Sequence, residues 1–372
     1  MRVTFLLAGL DMSGGNRVLA TYASMLAADG HQLCLVVPGP QPMGWRQRVK
    51  TLLRTGKLLK VPPVKRSHFD GLNLALQQLE SHRPIVDADV PDADVVIATW
   101  WETSEWANGL SASKGAKVYL IQHHEIFEHM PVDRVKATYR LPFHKVVVAP
   151  WLLHVMRDEY GDNAVDLVSN AVDHRQFHAP ARKRQPVPTV GFMYSEAEFK
   201  AVHVGISALR KLKAELPDLK VISFGLDRPA ALEFLGTDLE FHLSPRQEII
   251  RGCYSRCDAW LTSSRSEGFN LPALEAMACR TPVVSTRTGW PLTAIVDGQN
   301  GYLADVNDDD ALFRGLLLLL RSPDWERLAQ GAYDTAEPLS WDRAYPVFLE
   351  SLKRACLRAQ EGEIAGRSLG GV

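Results

Sequence analysis

An α/β chain made of two halves, each carrying a parallel sheet, follows from three observations. The opening stretch MRVTFLLAGLDMSGGNRVLATYASMLAADGHQLCLVV reads as strand, glycine turn, helix and strand, the βαβ pattern of a parallel sheet. From residue 188, PTVGFMYSEAEFKAVHVGISALRKLKAELPDLKVISFG repeats that order. Between the halves HAPARKRQPVP is proline-rich and basic, as an interdomain linker is. At 372 residues and 46% hydrophobic content there is core material for two domains of ordinary size. The expected division is residues 1–178, a linker at 179–188, a second domain at 189–340, and a closing helix with a frayed glycine-rich tail at 341–372.

Charge and cysteine content exclude several classes. Lys and Arg number 42 against 43 Asp and Glu, which is not the balance of a general nucleic-acid binder. The five cysteines lack zinc spacing and read as thiols in a reducing cell interior. Cys253 and Cys257, one helical turn apart, read as packing. The first apolar run is broken by Asp11 and is too short for a membrane span or a signal peptide, so a cytoplasmic location is expected.

In the first half, VTFLLAGL is a buried strand, and Gly14 and Gly15 sit in a loop at its carboxyl edge, the ligand end of such a sheet. A helix then runs to Gly30, and QLCLVV is the next strand. Residues 43–69 carry eight Lys or Arg and no acidic residue, with Trp45, Val49, Leu52, Leu53 and Leu59 at helical spacing. Two readings stand: a basic amphipathic segment for an anionic membrane surface or acidic acceptor, or a solvated helix packed on the sheet. DVVIATW is a short buried strand. Asp87 and Asp89, and Asp92 and Asp94, form Asp-x-Asp pairs in the loop before it and are read as surface aspartates, not a metal site. Trp100, Trp101, Glu102 and Trp106 follow the strand, where the aromatic rings either stack on a sugar or fill core. KVYLIQHHEIFEHM is strand then loop and places His123 and His124 at the carboxyl edge. HKVVVAPWLLHVMRDEYG is strand then helix.

In the second half SSRSEGFNLPALEAMACRTPVVST, residues 263–286, packs turn, helix, turn and strand into one unit. Gly268 accepts the backbone angles of a close approach to a ligand, and Pro272 suits the first helical turn. The N–H groups of Phe269, Asn270 and Leu271 stand free at the positive end of the helix, an anion site fit for a diphosphate. Glu267 lies in the loop. Glu275 lies about one turn into the helix and points inward with Leu271 and Ala278 or outward to water, depending on helix phase.

This segment resembles the donor-site signature S-x-x-E-G-F-x-L-x-x-x-E-A-M-A-x-G-x-P-V-V of the retaining GT-B glycosyltransferases of family 4. Glu267, Gly268, Phe269, Leu271, Glu275, Ala276, Met277, Ala278, Pro282, Val283 and Val284 fall on it, and Arg280 stands where glycine is common. The resemblance implies that Glu267 meets hydroxyls of the donor sugar, that Glu275 holds the ribose hydroxyls, and that the backbone from Gly268 to Leu271, including Asn270, binds phosphate and sugar. It extends along the chain. Asn170, Ala171, Val172, Asp173 and Phe177 resemble N-G-V-D-x-x-x-F, with alanine for the glycine, and Asn170 joins the donor-binding set. Lys200 fits the family lysine that meets the donor diphosphate, followed by Ala201 in place of glycine. The companion arginine is missing, Phe192 and Met193 standing near its place, which leaves Lys200 alone or joined by Arg265 or Arg228. His124, with His123 as the alternative, takes the role of the histidine near the reacting carbon. Gly14 and Gly15 face the donor phosphates or the acceptor, with Asn16 and Arg17 where an acidic residue is frequent. Gly289, Asp297, Gly298, Asn300, Gly301 and Leu303 match a later turn region in which Trp290 replaces a glycine and the family glutamate is absent; NDDDAL after it reads as a helix N-cap.

What the resemblance implies is a GT-B fold, two Rossmann-like domains facing across a cleft, with the last helix crossing back to the first domain. The implied activity is transfer of a sugar, hexosyl or related, from a nucleotide-diphosphate sugar to an acceptor hydroxyl with retention of configuration. His124, Glu267 and Lys200 are the catalytic set. No metal and no cofactor beyond the donor substrate is expected. The acceptor is a glycan or lipid-linked molecule of cell-surface polysaccharide or glycolipid assembly, with residues 43–69 placing the protein at the inner face of the plasma membrane. Two other classes remain open: a sugar-nucleotide epimerase of the same fold, and a catalytically degenerate nucleotide-sugar-binding protein.

Overall fold

The computed structural model describes residues 1–45, 48, 49, 52, 66–227 and 230–366. Most of the basic segment 43–69, and Arg228, lie outside the described residues. The chain forms two compact units. One comprises Met1–Val148, Leu152–Val168 and the chain from Tyr345 onward; the other comprises Ala149–Trp151 and Ser169–Ala344.

Among the described residues the first unit holds seven strands: β1 (Arg2–Leu6), β2 (Gln32–Val37), β3 (Ala75–Gln78), β4 (Val95–Ala98), β5 (Ala116–Ile121), β6 (His144–Val147) and β7 (Val165–Leu167). Their order is β3-β2-β1-β4-β5-β6-β7, and every pair is parallel. β4, β5 and β6 are buried throughout, the near-continuous apolar run that a sheet covered on both faces requires. β3 was not foreseen: its four residues are all exposed, and an edge strand without a buried face leaves no hydrophobic pattern to read.

The second unit holds β8 (Thr189–Met193), β9 (Lys220–Gly225), β10 (Leu239–Leu243), β11 (Ala259–Thr262), β12 (Val283–Thr286) and β13 (Gly301–Ala304). Their order is β10-β9-β8-β11-β12-β13, again all parallel. Strand order reverses between β8 and β11, so the crevice outside their carboxyl ends is where a doubly wound sheet binds its ligand. Helix Asp309–Arg321 starts at the NDDDAL run, where the Asp308 carboxylate accepts the Ala311 N–H at 2.7 Å. Its Leu312, Leu316 and Leu319 join Val190, Leu209 and Val221 in the core.

Two expectations need correction. Gly14 and Gly15 are not in a loop: they open helix Gly14–Ala28, capped by Ser13, whose hydroxyl accepts the Asn16 N–H at 3.3 Å. Residues 179–188 lie inside the second unit. There the Arg182 guanidinium sits over the Trp325 ring at 4.6 Å and donates to the Cys257 carbonyl, while buried Asp258 accepts the N–H groups of Gln185 and Thr189 at 2.8 and 3.0 Å. Proline and basic content suggested a solvated connector, and only the fold reveals the partners. Before the tail, whose residues 367–372 lie outside the described residues, Ala365 donates to the Pro142 carbonyl at 2.7 Å and accepts from the Lys117 N–H at 3.0 Å.

The last helix, Trp341–Gln360, places Phe348 against Tyr22 with ring centroids 4.1 Å apart. Its Ser351 lies 2.9 Å from buried His144, and its Arg354 pairs with Asp166. From Tyr345 onward, then, the helix belongs to the first unit.

Glu125, at the end of the β5 loop, is fully buried and takes the Trp101 N–H at 2.9 Å and the Tyr119 hydroxyl at 3.3 Å. Burial pushes its carboxyl well above the usual carboxylate range. An acid whose folded value is raised contributes stability that is present below its unfolded value and is lost as pH rises through the folded value. Glu125→Gln is therefore expected to melt higher than the wild type at pH 8, with the difference shrinking towards pH 4. Equal melting temperatures at pH 8 would refute this.

Candidate active site

The carboxyl ends of β8 and β11 converge on one recess. Beyond β8 the chain makes a single 3-10 turn, Glu198–Lys200, and then enters Ala201 in the left-handed region at φ 42°. That bend turns Lys200 towards the loop after β11, where its Nζ donates to Glu267 Oε1 at 2.7 Å. The Ser264 hydroxyl donates to the same oxygen at 2.6 Å. The two loops are sewn together by backbone: Arg265 N–H to the Phe199 carbonyl at 2.7 Å, and the Ser263 hydroxyl to the Ala201 carbonyl at 3.1 Å. Glu267 is only 6% exposed. A buried ion pair is tolerated when further hydrogen bonds satisfy it, and Ser264 does so here.

The recess is lined by Lys200, Ser263, Ser264, Glu267, Asn270 and Pro272, with an apolar wall from Phe192 and Met193. Its floor is the start of helix Leu271–Ala278, where Asn270 stands in the left-handed conformation at φ 82° and its side chain accepts the Ala273 N–H. Among the described residues the N–H groups of Phe269, Asn270 and Leu271 have no acceptor. An anion placed there meets donors and a lysine at once.

The remaining residues expected at a donor site brace the loop. The Gly268 carbonyl accepts the Trp151 indole N–H at 2.7 Å. Phe269 stacks on Trp290, centroids 5.4 Å apart and planes 9° apart, and its carbonyl accepts the Trp290 N–H at 2.8 Å. Gly289, at φ 62°, passes so close that an added Cβ would lie 2.8 Å from Glu267 Cβ and 2.8 Å from the Phe269 carbonyl oxygen. Glu275 takes the inward phase: it is 3% exposed, and its Oε2 accepts the Tyr254 hydroxyl at 2.7 Å. Asn170 is buried too, with Oδ1 lacking a partner among the described residues.

Arg265 does not join Lys200. Its guanidinium is held by Asn307 Oδ1 at 2.7 Å and lies 3.8 Å from Glu198, and it does not line the recess. In the first unit, Gly15 stands beside Gln122, whose amide nitrogen would lie 3.3 Å from an added Cβ. His124 follows β5, with Nε2 2.8 Å from the Tyr160 hydroxyl, and burial holds its imidazole below the ordinary value. His123 turns its Nδ1 to the His124 carbonyl at 2.9 Å.

Sequence reasoning passed over Ser264, Trp151, Tyr254 and Tyr160. Ser264 had a signal, three residues before the loop carboxylate, whereas the other three reach their partners only through the fold. The aspartates before β4 are engaged structurally: Asp89 with Arg83 at 2.6 Å, Asp94 with Arg2 at 2.9 Å, Asp92 with Lys114 at 3.0 Å. Cys253 and Cys257 are buried free thiols, and burial raises Cys253 to about 11. Among the described residues no group of three His, Cys, Asp or Glu side chains could hold a metal ion, and no helix is long and apolar enough to cross a membrane.

The two parallel sheets and a recess at the switch point define a chain of two Rossmann-like units, and comparison with known proteins agrees. Residues 173–335 match the family described as Glycosyl transferases group 1. D-inositol 3-phosphate glycosyltransferase of Corynebacterium urealyticum is 31% identical over 202 residues, 49% of this chain and 47% of that protein. The protein of the same name from Salinispora arenicola is 35% identical over 203 residues, 48% of this chain and 45% of its own. The chain thus matches about half the length of these curated relatives. Among solved structures, sucrose-phosphate synthase from Thermosynechococcus elongatus aligns with TM-score 0.73 at 16% identity, covering 96% of this chain and 100% of that one. Anabaena HepE in complex with UDP and glucose aligns with TM-score 0.71 at 15% identity, covering 95% and 99%. Both show the GT-B fold of paired Rossmann-like domains.

Proposed function

We propose that this protein is a glycosyltransferase that moves a sugar from a nucleoside diphosphate sugar to an acceptor hydroxyl with retained anomeric configuration. The observation that carries the reading is the Lys200–Glu267–Ser264 cluster beside the amides that open helix Leu271–Ala278. Support comes from the family of residues 173–335 and from the HepE complex, which holds UDP and glucose. In the proposed reaction the bond between the anomeric carbon and the diphosphate oxygen breaks, the acceptor oxygen bonds to that carbon on the same face, and the acceptor proton passes to the departing diphosphate. Lys200 and the free amides stabilise the charge that develops on the leaving group. Glu267, held on one side by Lys200 and Ser264, takes hydroxyls of the sugar, Glu275 takes the ribose, and His124 keeps the sugar-contacting role that the family resemblance gives it. No metal or further cofactor enters this reading. The proposed acceptor is a glycan or lipid-linked molecule of the cell surface. Residues 43–69 would contact an anionic membrane, which sedimentation with and without anionic vesicles decides.

The testing experiment is a thermal-shift screen against UDP, GDP, ADP and dTDP sugars with and without EDTA, beside Glu275→Gln. Glutamine keeps an acceptor for Tyr254, which alanine would strand in the core. A ligand at one hundred times its Kd adds about 2.7 kcal/mol. One nucleotide class should shift the melting temperature, with EDTA without effect and a smaller shift in the variant. No shift with any sugar nucleotide would sink the donor site in favour of a degenerate scaffold, and an epimerised donor formed without acceptor would favour an epimerase.

A further inference from the structure

We propose that the side-chain amide of Asn270 is itself a ligand group, donating from Nδ2 to a phosphoryl oxygen of a nucleoside diphosphate bound in the recess. This deepens, and rests on, the donor-site reading above. The side chain's orientation follows from its cap. Asn270 accepts the Ala273 N–H at 3.3 Å, and since an N–H can only donate, the atom facing the helix is Oδ1 and Nδ2 is turned away from it. Asn270 is 4% exposed, and its Nδ2 is buried without an acceptor among the described residues.

A buried donor left unpaired is costly, and native proteins seldom keep one. The polar neighbours that share the recess are already committed. Lys200 and Ser264 both bond Glu267, and Ser263 bonds the Ala201 carbonyl. A left-handed backbone at φ 82° is one that glycine adopts without strain. Asparagine there adds two things glycine lacks, a cap for the helix and an amide in the recess. The chemistry of the missing acceptor is set by its surroundings. Asn270 lines the recess together with Lys200, and the Asn270 backbone N–H also has no acceptor among the described residues, so the partner is an acceptor-rich anion, which a phosphoryl group is.

Titration calorimetry of wild type, Asn270→Asp and Asn270→Gly with UDP, GDP, ADP and inorganic pyrophosphate tests this. Aspartate keeps the cap and the tolerance of a left-handed backbone, but turns a carboxylate oxygen towards the phosphate. Asn270→Asp is expected to weaken both the preferred nucleotide and pyrophosphate by about ten-fold or more. Asn270→Gly, which removes the donor without adding charge, is expected to weaken both by a smaller factor; it carries the test should the aspartate variant fail to fold. Wild-type affinity in Asn270→Asp overturns the proposal and leaves the donor site standing. Loss of nucleotide affinity with pyrophosphate unaffected also overturns it, because the amide then faces the sugar or ribose. A wild-type protein that binds none of the probes overturns both this proposal and the donor-site reading.

Discussion

Glu267→Gln is expected to lower kcat/KM for sugar transfer by about 100-fold or more while the affinity for the free nucleoside diphosphate does not fall. Glutamine preserves the shape of a side chain that is 6% exposed and keeps one oxygen for Ser264. What it removes is the charge opposite Lys200, 2.7 Å away. Breaking a buried pair by neutralising one member typically costs about 3–5 kcal/mol, because the other charge is left without its counterion. Some of that cost is offset when a diphosphate arrives, since Lys200 can then pair with the ligand. The nucleotide alone should therefore bind at least as tightly as before, and the loss should appear in the step that needs the sugar held, where one positioned polar group is worth about 10²–10³ in rate. Lys200→Met makes the complementary cut, and because the two side chains act as a unit the double variant should lose little more than the worse single one. Glu267→Gln working within three-fold of the wild type would show that the pair is structural only.

The fold was legible because its information is local. Alternating strands and helices, with buried runs such as VVIA in β4 and VVST in β12, show in the chain before any contact is known. So did the loop-to-helix unit around Glu267, since an N-cap, a proline in the first turn and a glycine-bearing loop declare themselves in sequence. Side chains that reach far along the chain did not. Nothing near Arg182 announces Trp325, and nothing near Glu275 announces that Tyr254, 21 residues earlier, fixes its phase. Nothing near Arg265 announces Asn307, 42 residues on, either. The departures from the family pattern were visible but their meaning was not. Ala201 and Arg280, both standing where glycine is usual, adopt left-handed backbones at φ 42° and 58°. The conformation is thus kept at some cost in strain. Arg280 offsets that cost by donating to the Ala179 carbonyl at 3.1 Å and lying over the Tyr333 ring at 4.1 Å.

Gly289 keeps its glycine, and Gly289→Ala is expected to disrupt the loop that carries Glu267. Two penalties coincide. An alanine at φ 62° enters the left-handed region, worth about 1–2 kcal/mol. Its Cβ would also lie 2.8 Å from Glu267 Cβ and from the Phe269 carbonyl oxygen, and overpacking of that kind adds about 1–3 kcal/mol. The second obstacle is backbone, so no rotamer change relieves it, and the loop must shift. Because the shift acts on Glu267 and Phe269 directly, the nucleotide-sugar thermal shift should be lost along with several degrees of melting temperature. Gly252→Ala makes the same chemical change in helix Gln247–Ser255, where nothing lies within 4 Å of the new carbon. There the helix gains about 1 kcal/mol from replacing glycine, and melting temperature should rise with ligand response intact. Opposite signs from one added methyl would locate the constraint in the close approach of Gly289 to the Glu267 loop. Equal, small effects at both positions would mean that the loop has room to move and that its geometry is not what holds Glu267 against Lys200.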